Sequence, residues 1–209
     1  MIPPSKRQAT FKDAFAETVA LFDSIELPKV TKLRGNESKP VLLIAPSPND
    51  EECKLGLPLS NETYSREFHG VLLQLTGLNT QSDFIVMAGC PIIDTKPSKR
   101  HIEPFRNLLL AQHTKFKLVV VIGADNFKFY FGRGKKSSLQ TLSSGTPVFL
   151  NADWPGLPIF VIPDIKALSP EWTNDKNQDW KLQLDLDRCV KWLRRICPGL
   201  AATYKRYVK

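Results

Sequence analysis

Three consecutive carboxylates, Asp50, Glu51 and Glu52, come directly after a stretch that reads VLLIAPSPN. A carboxylate held in a shielded place can stabilise a developing cation, orient a water molecule or carry a proton. Acids this close also raise one another's pKa. The element before them decides whether they are held at all. Val41–Ala45 is a continuous apolar run, the pattern of a strand buried on both faces of a parallel sheet. Pro46 and Pro48 stop the ladder and stiffen the loop beyond it. Ligands of open α/β sheets lie just beyond the C-terminal ends of the strands, so the acids stand where such a protein keeps its site. The same three residues could instead form a solvated loop, cap the next turn or pair with Lys54.

The elements that would position this loop repeat along the chain. Apolar residues at helical spacing predict a helix over Phe11–Phe22, and a polar, basic connector runs from Pro28 to Pro40. Helices are expected over Tyr64–Leu75, Ile102–His113, Ala124–Phe131 and Trp180–Ile196, with further strands at Phe84–Ala88, Leu118–Ile122 and Ile159–Ile162. Val148–Leu150 reads as a short edge piece. Alternating strands and helices imply parallel strands with crossovers. The expected fold is a three-layer α/β/α sandwich around a central four-stranded parallel sheet, in one domain spanning 1–209. Its strand-exit loops would be 46–62, 89–101, 123–126 and 163–175.

The 209 residues carry a net charge of +8 and a pI near 9.4. This favours an anionic partner, nucleic acid first and a membrane surface second. No run is apolar enough to span a bilayer, and MIPPSKRQATF lacks the apolar core of a signal segment. The expectation is a cytoplasmic protein, a monomer. Cys53, Cys90, Cys189 and Cys197 show no CxxC spacing, and His69, His101 and His113 no metal-ligand spacing. Neither a metal site nor any other cofactor is expected, and the cysteines read as buried thiols.

Taken in order, these motifs resemble the uracil-DNA glycosylase superfamily. The likeness is greatest to the branch that usually carries an iron–sulfur cluster, with features of the poxvirus members. That branch opens its site with a strand and G-E-x-P-G-x-x-E-[DE]-x-x-G-x-P-F. Pro48, Glu51 or Glu52, Gly56 and Pro58 match it without gaps. VLLQLTGLNTQSDFIVMAGCP, RHIEPFRNLLLAQHTKFKLVVVIGADNF, GTPVF and LPIFVIPD resemble its later helices, strands and turns, so the match covers residues 39–170. The departures are specific. Pro46 and Ser47 stand where the family carries acids or an amide before the motif proline. Leu59 replaces the phenylalanine that stacks on the flipped base. No amide lies near Val86–Met87, where the uracil-reading asparagine belongs. Ile162 replaces the histidine before Pro163. The N-terminal CxxC is missing, and Cys90 alone resembles one of the cluster ligands.

The resemblance implies a monofunctional DNA N-glycosylase that flips a base and leaves an abasic site. Asp50, Glu51 and Glu52 are then the candidate catalytic acids, stabilising the oxocarbenium-like sugar and orienting water. Ser47, Asn49, Leu59, Tyr64, Met87, Ala88, Gly89, Ile162 and Asp164 are candidates for the base pocket. Lys54, Ser60, Lys96, Ser98, Lys99, Arg100, Ser143, Ser144, Lys166 and Leu168 are candidates for DNA contact. Loss of the uracil-reading groups points to a modified base, such as the hypermodified pyrimidines of some phage genomes, and so to antiviral defence in a prokaryotic or viral setting. The same losses also fit an inactive DNA-binding or replication-accessory module.

Overall fold

The computed structural model describes residues 10–60, 69, 77–93, 98–132, 147–150, 154, 156–162, 191, 195 and 198–206. The first helix, α1 (Phe11–Ala20), starts from a reciprocal cap. The Thr10 hydroxyl accepts from the Asp13 N–H, and the Asp13 carboxylate accepts from the Thr10 N–H. Phe11, Phe15 and Val19 recur every fourth residue and turn one stripe inward.

Among the described residues six strands form one mixed sheet. They are β1 (Arg34–Gly35), β2 (Val41–Ala45), β3 (Ile85–Ala88), β4 (Leu118–Ile122), β5 (Val148–Phe149) and β6 (Pro158–Ile162), in the order β1-β3-β2-β4-β6-β5. The four central strands run parallel, as the apolar runs predict. A two-residue antiparallel strand adds to each side of the expected four. Val148–Phe149 is the anticipated edge piece, whereas β1 lies inside the stretch taken as a connector.

Every residue of β2, β3, β4 and β6 is buried. Alternate side chains enter two separate cores. Leu42, Ile44, Met87, Val119, Val121 and Val161 join Phe15, Phe105, Phe127 and Tyr130 from the helices on one face. Val41, Leu43, Val86, Val120, Phe160 and Ile162 meet Leu59, Leu78 and Leu200 on the other. Each such aliphatic chain contributes about 1.5–3 kcal/mol of apolar burial, so the sheet is the rigid body on which the exit loops are mounted.

Three further helices are α2 (Asp50–Leu55), α3 (Lys99–Gln112) and α4 (Ala124–Phe131). The last coincides with its sequence expectation. α3 starts three residues early, so Lys99 and Arg100 form its first turn rather than a loop. Pro104 sits inside the helix, past its first turn, and its missing N–H removes the bond to the Arg100 carbonyl. Residues 198–206 are helical and place Leu200 in the second core. The helices read at Tyr64–Leu75 and Trp180–Ile196 fall almost wholly outside the described residues. From β2 the chain moves to β3 on one side; from β4 it moves to β6 on the other. The exits of β2 and β4 therefore flank the topological switch point, where open α/β sheets bind their ligands.

Candidate functional site

The segment after β2 is a short, fully capped helix rather than an open loop. Asn49 accepts from the Glu52 N–H through its side chain at 2.9 Å, and its own N–H donates to the Glu52 carboxylate at 2.9 Å. That reciprocal pair starts α2. At the far end Gly56 takes a left-handed φ of 68°, its N–H bonds the Cys53 carbonyl, and the Leu57 N–H reaches back to the Glu52 carbonyl. This six-to-one closure needs a residue at ease in that conformation, and glycine is the usual choice.

The cap separates the three acids. Glu52 is 5 % exposed and accepts from the Asn49 N–H at the helix start. Asn49, a candidate pocket residue, is the cap itself. Asp50 and Glu51 lie in the first turn and are exposed at the edge of the sheet. Lys54 is also exposed, while the Ser60 hydroxyl donates to the Leu57 carbonyl at 2.7 Å.

A half-buried arginine supports this segment. Arg34 of β1 donates from its guanidinium to the Leu59 carbonyl. Burial lowers its pKa, and the nearby Glu52 carboxylate opposes that shift. Leu59 is buried with φ 52°, an unusual backbone for a non-glycine residue, held here by its surroundings. Cys53 is pushed up to about 11 by burial, then by Glu52, Asp50 and Cys90. It is a protonated thiol beside acids, a poor start for a metal ligand. Among the described residues no three His, Cys, Asp or Glu side chains gather as metal ligands.

Strand ends meet at the switch point. Met87 and Ala88 are buried within β3, Ile162 is buried at the end of β6, and Ser47 is exposed beside β2. Gly89 is buried where β3 ends, with its N–H toward the Pro46 carbonyl at 3.4 Å. A Cβ at this position would lie 2.5 Å from the Ala45 carbonyl oxygen and 2.4 Å from the Asn126 Oδ1. Asn126, in the first turn of α4, ties the strands together. Its side-chain nitrogen donates to Ala45 at 3.0 Å and to Ile122 at 2.8 Å, the last residues of β2 and β4. The sequence gives no signal for Asn126 beyond its place in the 123–126 exit loop. Arg34 gave no comparable signal, because its strand is two residues long.

Connector residues lace the same edge from outside. The Val30 N–H donates to Pro91, Ile93 to Pro28, and Lys32 to Gly56. Ser98 precedes α3, with Lys99 and Arg100 exposed at its start. His101 is buried, edge-on to Phe22. Tyr64, Lys96, Ser143, Ser144, Asp164, Lys166 and Leu168 lie outside the described residues.

No helix among the described residues is long and apolar enough to cross a membrane. Among curated proteins none matches the chain. The family model for the uracil DNA glycosylase superfamily matches residues 34–194, well over half of the sequence. With its parallel core and its capped acidic helix after the first parallel strand, the chain belongs to the uracil-DNA glycosylase superfamily.

Proposed function

We propose that this protein excises a modified base other than plain uracil from DNA, leaving an abasic site. Members of the superfamily are generally DNA glycosylases, hydrolases of the bond between base and sugar. The observation that carries the finer reading is the pair Asp50 and Glu51, both exposed in the first turn of a capped helix at the exit of β2. As the glycosidic bond breaks, positive charge grows on the sugar, and a fixed carboxylate stabilises it without reorganising. The same group orients the water that completes hydrolysis. Leu59 is buried where the family stacks a phenylalanine, and Met87 and Ala88 present no amide. A pocket without those groups gives up discrimination against substituted pyrimidines. Hypermodified phage bases are the substrates we assign to it, with defence against phage as the role.

The test is incubation with DNAs carrying uracil, hydroxymethylated or glucosylated pyrimidines, then alkaline cleavage at abasic sites. The expected result is strand cleavage with a modified pyrimidine and little with uracil. Cleavage only at uracil would overturn the substrate class. Binding of DNA with no cleavage of any of them would favour an inactive, replication-accessory module.

A further inference from the structure

The buried amide of Asn126 has capacity left over. Its two N–H bonds go to the Ala45 and Ile122 carbonyls, and these partners fix which end of the amide is nitrogen. The oxygen therefore points elsewhere, and it accepts no hydrogen bond from the described residues. The residue is only 7 % exposed, yet Oδ1 is not sealed from solvent. Around it, Gly89 brings bare backbone against the amide, where any side chain would collide with it. Gly123, which starts α4, makes no side-chain cap. A buried side chain held by two strands, with one acceptor still open at the switch point, has the form of a recognition group.

We propose that Asn126 Oδ1 is a specificity-determining acceptor that reads an N–H donor on the Watson–Crick edge of the flipped base. This rests on the glycosylase reading above for the base, and adds which group reads it. An asparagine with both ends available would read a donor and an acceptor together. Here the donors are spent, so recognition narrows to one hydrogen bond and tolerates substituents elsewhere on the ring. Gly89 is then the residue whose lack of a side chain leaves the amide in place.

The experiment uses the whole protein and two 2′-fluoro oligonucleotides, which resist base loss. One carries 5-hydroxymethyluracil and the other its N3-methyl derivative. The donor-bearing probe should bind at least about tenfold more tightly, or about 1.4 kcal/mol, and should shift the side-chain amide resonances of Asn126. In Asn126→Ala the preference should fall within about twofold. Equal binding of the two probes by the native protein, or a preference kept in Asn126→Ala, overturns the proposal. Should that variant not fold, native resonances of Asn126 that stay unmoved by the donor-bearing probe overturn it as well. Abasic sites formed with no dependence on Asn126 would sink this inference and leave the glycosylase reading standing. Donor preference without excision of any base would do the reverse.

Discussion

At the scale of single residues, one hydrogen-bond pair sorts three adjacent acids into different roles. Glu52 closes the helix start, and Asp50 and Glu51 remain exposed beside it. If one of them stabilises the transition state, Asp50→Asn or Glu51→Gln should lower turnover on the modified-base DNA by about a hundredfold or more, with DNA affinity little changed. Single-turnover cleavage beside equilibrium binding checks this. Full turnover in both variants would reject the acid assignment. Little of this sorting was legible beforehand. The sequence offered capping as one alternative for the acids, but the choice of Glu52 depends on Asn49 sitting three residues earlier with extended backbone. Asn126 was hidden for another reason: a lone asparagine after a strand gains meaning only when the distant Ala45 carbonyl joins the local Ile122 carbonyl on it.

At the scale of elements, the short helix after β2 is specified by its ends rather than its length. Six residues nucleate poorly alone, and this helix is held by the Asn49–Glu52 pair, by Gly56 and by Arg34. Asn49→Ala should cost about 1 kcal/mol in denaturant unfolding, and loss of catalysis beyond that cost would show that the cap also aims the acids. A second element effect concerns pH. His69 is lowered to about 4 by burial and then by Arg34, and its Nδ1 meets the Thr80 hydroxyl. The unfolded chain takes up this proton near 6.5, whereas the folded chain resists until about 4. Stability is therefore lost as pH falls between those values. His69→Gln should flatten that part of the pH profile, measured as unfolding midpoints at pH 7 and 5. The parallel strands themselves were fully legible, because burial on both faces forces unbroken apolar runs. The two edge strands were not, since two residues carry no periodicity.

At the scale of the whole molecule, a +8 chain presents Lys99 and Arg100 exposed at the start of α3, on the same sheet edge as the acidic helix. If this face meets phosphates, reversing both charges should weaken nonspecific DNA binding and reduce the slope of log affinity against log salt by about 2. A slope unchanged from the native protein would move the DNA path elsewhere. The outer strands bear on a different matter. Arg34–Gly35 and Val148–Phe149 each offer a ladder only two residues long, antiparallel to the strand within. A foreign strand arriving at either flank therefore finds almost no rail to extend, and a sheet made of very sticky, valine-rich strands is guarded against growing into fibrils edge to edge.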